Sequence, residues 1–330
     1  MTESVLVVGA TGFVGRHLVQ RLRESGLRVT GTSRKPNEAR KRVSNIDWVF
    51  ADVEIEQSLH DAMEGFDSVV YLVHQMRQVS DDLVALEKAS AGRVLAAAEA
   101  NGIRRLVYLG GPEPAGESSV HLTARLETGR VLRSGSVSTL ELRAGMVIGA
   151  GSESWLMVRD LAHRLPVMVL PRWLNSRSQP VAIDDVIIAL AQAIQFSSSN
   201  SHVFDLPGPE TLSAREILER TSAQLGTRPI MIPVPVLTPK LSSHWLRLVT
   251  GANFKVAKKL VRGLSCDVVS TEASFWEHLP TEATPFDEAV RKALAEDEQT
   301  HRSVSVRFWE RCAHLIGRSA REVLGEYVPN

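Results

Sequence analysis

The chain has 330 residues, enough for a large buried core, and its 38 Lys plus Arg equal its 38 Asp plus Glu. That balance excludes a net field drawing in nucleic acid, and the two cysteines, Cys266 and Cys312, form neither a metal-ligand spacing nor a disulfide framework. The N-terminus runs directly into an apolar stretch and no apolar run reaches membrane-spanning length, so the sequence predicts a cytoplasmic protein without a transmembrane segment, bound metal or nucleic-acid partner.

The first predicted strand, Val5 to Val8, stops at Gly9, and Val14, Leu18 and Leu22 then repeat at helical spacing. Between them lie three glycines spaced three apart. Gly9 suits a sharp turn off the strand, Gly12 a close backbone approach to a diphosphate, and Gly15 close packing of helix on sheet. Strand, turn and helix in this order predict a dinucleotide site built on Gly9, Thr11, Gly12, Phe13, Val14 and Gly15, with the helix N-terminus facing the anion.

Ser25-Gly26 ends the helix, and Leu27 to Ser33 is the second strand. A carboxylate at its end would bind the ribose 2′-hydroxyl of NAD, whereas a basic residue accommodates the 2′-phosphate of NADP. No acid occurs between Glu24 and Glu38, and Ser33-Arg34-Lys35, reinforced by Arg40, Lys41 and Arg42, predicts NADP(H) over NAD(H). Asp47 to Ala51 is the third strand, placing Asp52 and Val53 beside the adenine. Ser68 to Val73 is a fourth, buried strand ending at His74, so Leu72, Val73 and His74 should border the cofactor.

Ser80 is expected to cap a long helix carrying Leu83, Leu86, Val94 and Ala98 on one face, closed by Asn101-Gly102. Arg105 to Leu109 is the fifth strand, His121 to Leu132 a helix and Ser138 to Arg143 the sixth strand. Farther on, Asp184 and Asp185 are expected to cap a helix running to Ile194, and His202 to Leu206 is another short strand. Ser213 and Glu216 form a capping box. Helices follow over 285–296 and 304–324, the last amphipathic, with Val304, Phe308, Cys312, Leu315 and Val323 on one face. It is expected to pack on its own domain, with a peripheral membrane or partner contact as the alternative. The pattern predicts an α/β, Rossmann-type doubly wound parallel sheet over 1–150, with 179–206 returning to it. Residues 151–178 and 207–330 are assigned to a smaller C-terminal substrate or partner domain.

The run Gly9 to Gly15, with Leu142-Arg143-Ala144-Gly145-Met146-Val147-Ile148-Gly149 and Pro180 to Val186, resembles the extended and atypical short-chain dehydrogenases over residues 4–225. Tyr71 to Met76, His121 to Arg125, Leu165 to Met168, Pro171-Arg172-Trp173 and Pro233 to Pro239 look most like their YbjT-like, NAD(P)-binding branch. Typical members reduce a carbonyl with a tyrosine acid, a lysine four residues on and a serine after the fifth strand. Here Tyr71 and Tyr108 are followed at that spacing by Gln75 and Pro112, no lysine occurs between Lys88 and Lys240, and Gly110-Gly111 follow the fifth strand. His121 and Arg125 occupy the positions matching tyrosine and lysine, and with His74 they are the candidate catalytic residues. The resemblance implies an NADP(H)-dependent oxidoreductase acting on an apolar, quinone-like or isoprenoid small molecule. The alternative is a non-catalytic, NmrA-like regulator or assembly factor that responds to NADP(H) and works through a protein partner.

Overall fold

The computed structural model describes residues 3–74, 82–116, 119–164, 167–171, 175–227, 229–234 and 267–298. The first strands and helices alternate as β1 (Ser4–Val8), α1 (Phe13–Glu24), β2 (Arg28–Ser33), α2 (Pro36–Arg42), β3 (Asp47–Phe50), α3 (Glu56–Met63) and β4 (Ser68–Tyr71). They continue with α4 (Leu83–Ala100), β5 (Arg105–Gly110), α5 (Val120–Arg133), β6 (Ser138–Arg143), β7 (Val147–Ile148), α6 (Glu153–Arg164) and β8 (Val167–Pro171). The later elements are β9 (Arg177–Ser178), β10 (Val181–Ala182), α7 (Ile183–Ile194), β11 (His202–Asp205), β12 (Leu212–Ser213), α8 (Ala214–Gln224) and β13 (Ile230–Val234), then a helix over 286–298, here α9.

Seven parallel strands form one sheet in the order β11-β6-β5-β4-β1-β2-β3. The chain reverses direction across the sheet between β1 and β4, where Val8 pairs with Tyr71, and in such sheets a ligand crevice opens outside the carboxyl ends at this point. Alternation along β1 feeds two cores. Val5 and Val7 face Leu18, Val19 and Leu22 of α1 and Val186 and Leu190 of α7. Leu6 and Val8 face Leu59 and Met63 of α3 and Val94 and Ala98 of α4. A strand apolar on both faces has no solvent side to present, which is why β1 reads as an unbroken hydrophobic run.

A third core lies off the sheet, where Trp155 and Val158 of α6, Ile217 and Leu218 of α8, and Phe286 and Val290 of α9 pack together with Ile148 and Leu212. Buried aspartates fasten the 267–298 segment to the rest. Asp205, at the end of β11, accepts from Ser270 Oγ at 2.9 Å and from the N–H groups of Thr271 and Glu272 at 2.6 and 2.9 Å. Asp185 accepts from Thr284 N–H and Oγ at 2.9 and 2.8 Å, and Asp297 accepts from Trp155 Nε1 at 2.9 Å.

Several local expectations are corrected. Asp184 and Asp185 do not cap α7. Its N-cap is Ala182, and the two acids lie in the first turn, with Asp185 turned inward to hold Thr284. The basic run Arg40, Lys41 and Arg42 lies in the last turn of α2, a short helix that Pro36 opens. Ser80 lies outside the described residues, and Asp82 takes the N-cap position of α4. The capping box of α8 forms as expected, with Ser213 and Glu216 bonded reciprocally. The amphipathic stretch over 304–324, and Pro235, Pro239 and Arg172-Trp173, also lie outside the described residues.

Candidate active site

At the end of β1, Gly9 adopts φ 95, a conformation that L side chains rarely adopt, and Gly12 N–H closes the turn onto Gly9 O at 3.0 Å. Gly12 is the N-cap of α1, no side chain caps the helix, and no acid lies in its first turn. Arg16 N–H is bonded to Gly12 O, so the N–H groups of Phe13, Val14 and Gly15 precede the helical ladder and point out of the N-terminus. A methyl group on Gly15 would sit 2.4 Å from Gly9 O, so the helix approaches the turn as closely as backbone allows. At Gly12 the same test meets only Gly9 O, at 3.2 Å, so its other side is open. An uncapped, partly positive helix end behind an open glycine is chemically fitted to the diphosphate of a dinucleotide.

The other predicted cofactor residues lie along the carboxyl edge of neighbouring strands. A Cβ on Gly9 would touch Leu72 C and O and Val73 Cγ2 at 3.1 to 3.2 Å, which fixes the end of β4 beside the turn. Ser33 ends β2, its Oγ accepting from Lys35 N–H at 3.0 Å. Lys35 pairs with Glu38 at 3.1 Å on the surface, whereas exposed Arg34 has no ion-pair partner among the described residues. Asp52 follows β3; one carboxylate oxygen accepts from Glu54 N–H at 3.0 Å, and Val53 is buried behind it.

At the ends of β4 and β5 the three candidate catalytic residues converge. His74 Nε2 lies 3.1 Å from Leu109 O. A carbonyl oxygen can only accept, so the proton sits on Nε2 and Nδ1 is a buried lone pair with no donor among the described residues. Burial holds the His74 pKa well below the ordinary histidine value, and the Arg125 guanidinium pushes the same way, so His74 is neutral. Arg125 lies on α5 with its Cδ 3.1 Å from where a Cβ on Gly111 would be, and the half-buried His121, near the start of the helix, adds its charge to the same field.

Tyr71 and Tyr108 are buried beneath this edge, the ring of Tyr108 lying 5.8 Å from that of His74. Both are fully buried, their rings stack at 5.9 Å, and burial raises both phenols above their ordinary range. Tyr108 OH donates to Arg125 O at 3.1 Å, which anchors the backbone of α5.

Sequence reasoning missed the ion network that holds the loop after β5. Glu141, fully buried on β6, accepts from Arg133 Nε at 2.8 Å and Arg143 Nε at 3.0 Å, and Arg143 reaches Glu113 in that loop at 3.2 Å. Two charges, Glu141 and Arg143, alternating with leucines in a predicted strand were the available signal. The outer wall of the loop comes from the C-terminal segment, where Asp267 O accepts from Ala115 N–H at 2.9 Å and its carboxylate from Arg177 N–H at 2.7 Å.

This arrangement is a Rossmann-type α/β fold with a glycine turn at the end of its first strand. Residues 9–134 match a family model described as NAD(P)H-binding, over the part of the chain that carries the glycine turn and strands β2 to β5 of the parallel sheet. Among curated relatives, a 3-diazoavenalumate denitrifying reductase of a Streptomyces species is 27% identical over 290 residues, spanning 75% of this chain and 91% of that protein. A (4-alkanoyl-5-oxo-2,5-dihydrofuran-3-yl)methyl phosphate reductase of Streptomyces griseus is 26% identical over 281 residues, spanning 81% of this chain and 90% of the relative. The crystal structure of Citrobacter triphenylmethane reductase complexed with NADP(H) superposes with a TM-score of 0.70 at 18% identity, over 88% of this chain and 99% of that one. At that identity the likeness is one of fold. Among the described residues no helix is long and apolar enough to cross a membrane, and no cluster of three His, Cys, Asp or Glu could hold a metal.

Proposed function

We propose that the protein is an NADP(H)-dependent reductase that delivers hydride to an electron-poor carbon of a largely apolar, conjugated molecule, quinone-like in its electronics, without a tyrosine–lysine proton donor. The observation that carries the reading is the open Gly12 face below the uncapped N-terminus of α1, with Arg34, which has no ion-pair partner among the described residues, after the end of β2 and His74 after the end of β4. When bound, the dinucleotide supplies the hydride. Arg34 offers a charge-assisted bond to a 2′-phosphate, Asp52 retains a carboxylate oxygen for the adenine amino group, and the loop after β5, held by Arg143 and Glu113, fixes one wall of the substrate space.

Neither His74 nor His121 needs to act as an acid for such a substrate, because the electron pair accepted at carbon can be stored on a conjugated oxygen and protonated by water. The relatives' named substrates, a diazo compound and a dihydrofuranone phosphate, support a reaction outside simple ketone reduction. The second reading, a non-catalytic NADP(H)-responsive regulator, is favoured by the full burial of Tyr71 and Tyr108, which leaves neither phenol exposed as a proton donor.

The test is a fluorescence titration with NADPH and NADH on the wild type and Arg34→Ala, followed by NADPH oxidation with a panel of quinones and conjugated enones. Micromolar NADPH binding, about tenfold weaker in the variant and insensitive to it for NADH, with turnover on at least one acceptor, is the expected result. Binding without turnover, accompanied by different affinities for NADPH and NADP+, supports the regulator. Absence of binding by either nucleotide overturns both.

A further inference from the structure

Among the described residues, arginines that are wholly or partly buried are matched to acceptors. Arg133 and Arg143 share Glu141, Arg105 donates to Phe196 O, Ser198 O and Ser138 Oγ, Arg159 meets Asp160 and Asp297, and Arg220 meets Glu210 and Asp287. Arg125 is the exception: its side chain, half-buried over Gly111, has no hydrogen-bond or ion-pair acceptor among the described residues. Glu141, whose charge acts on Tyr108 beside Arg125, is already committed to two arginines, and Glu113 in the loop after β5 to Arg143. His74 cannot serve, because it is neutral, its Nε2–H is given to Leu109 O, and what remains is the Nδ1 lone pair. A partly buried guanidinium without a counter-charge is stabilised by an incoming oxyanion, and its fork geometry suits carboxylate and phosphate oxygens.

We propose that Arg125 is the anion anchor of the substrate space: the molecule reduced here carries a carboxylate or comparable oxyanion that pairs with this guanidinium while its reactive part lies at the carboxyl ends of β4 and β5. The proposal rests on the reductase reading and narrows its substrate to acids with an apolar, conjugated body. Ribose hydroxyls of the cofactor are the competing occupant, and they are neutral, so charge separates the two. The backbone carbonyl of Arg125, which receives Tyr108 OH, is unaffected by changing the side chain, so substitution leaves the anchor of α5 in place.

Benzoate and benzamide, alike in shape and different in charge, are the probes. Their dissociation constants are measured by calorimetry on the protein saturated with NADP+, for the wild type, Arg125→Gln and Arg125→Lys. The wild type is expected to bind benzoate at least about tenfold more tightly than benzamide. Arg125→Gln should reduce that ratio to within about twofold, Arg125→Lys should restore part of it, and NADP+ affinity should stay within about threefold throughout. Equal binding of the two probes, no benzoate binding at about 20 mM, or a preference that survives in Arg125→Gln overturns the proposal. So does a loss of NADP+ affinity in Arg125→Gln with the ratio unchanged, which would assign the side chain to the cofactor. If the wild type fails to bind NADP+, the reductase reading falls instead, and the benzoate-to-benzamide ratio on the free protein still decides whether Arg125 is an anion anchor.

Discussion

Individual side chains at this site are defined by what they cannot do as much as by what they touch. His74 is aromatic, neutral and committed through Nε2, with its ring edge-on to Tyr108 at 5.8 Å. The physical consequence is a pH dependence. Its native pKa lies below the ordinary 6.5, first through burial and then through Arg125, so between those two values the unfolded chain binds a proton that the native state does not. The stability contributed by neutral His74 is therefore complete above pH about 6.5 and is lost as the pH falls from there toward the native pKa. Urea unfolding at pH 7.5 and 5.5 should show the wild type losing stability, at up to ~1.4 kcal/mol per pH unit from this group, and His74→Asn should have the shallower slope. Equal slopes would mean that His74 takes up its proton as readily in the native state as in the unfolded chain. His17, whose pKa is also lowered by burial and by Arg16, contributes to both proteins alike and cancels in the comparison.

At the scale of elements, the decisive contacts are backbone to backbone. Gly15 lies where a methyl group would meet Gly9 O at 2.4 Å and Ala10 Cα at 2.7 Å, and neither can rotate aside. Gly15→Ala should lower stability by about 1–3 kcal/mol and weaken NADPH binding, because α1 must move off the turn. Gly92 in α4 is the contrast. Nothing lies within 4 Å of its Cβ position and it has helical neighbours on both sides, so Gly92→Ala should raise stability by up to ~1 kcal/mol. Thermal melts of the two variants side by side separate close approach from backbone entropy. At the N-terminus of α8, Ser213→Ala removes one half of a reciprocal capping box and should cost about 1 kcal/mol in the same assay.

For the whole molecule, the C-terminal segment is held by buried carboxylates that join it to β11, α7 and α6. Asp205→Ala would strip three donors of their acceptor at once, leaving two backbone N–H groups without their partner. A stability loss of about 2–4 kcal/mol is expected, with hydrogen exchange accelerated over 270–278 more than in the central strands. Acceleration spread evenly over the sheet would argue that the segment is not a separately anchored unit. Because Asp267 closes the loop after β5, the variant should also loosen that wall of the substrate space.

The sequence by itself determined the α/β class, the strand succession and the glycine turn, because β1, β4 and β5 are buried on both faces and must read as apolar runs, and because only glycine meets the backbone demands at positions 9 and 15. It also determined that Arg34, with no nearby acid, stands at the end of β2, and that Ser213 and Glu216 cap α8, since both are local in the chain. Only the tertiary structure decided what depends on partners distant in sequence. Asp185 reads as a helix cap until Thr284 arrives from 99 positions away, His74 reads as a candidate catalytic residue until its Nε2–H is given to Leu109 O, and the pairing of Glu141 and Arg143 with Arg133 and Glu113 is not legible in the sequence at all. The same limit applies to Arg125. Its spacing from His121 is legible, but that its side chain lies half-buried without a counter-charge among the described residues follows only from where α5 packs over the end of β5. Local propensity and periodicity are written along the chain, whereas the charge state and partners of a buried side chain are set by whatever the fold brings against it.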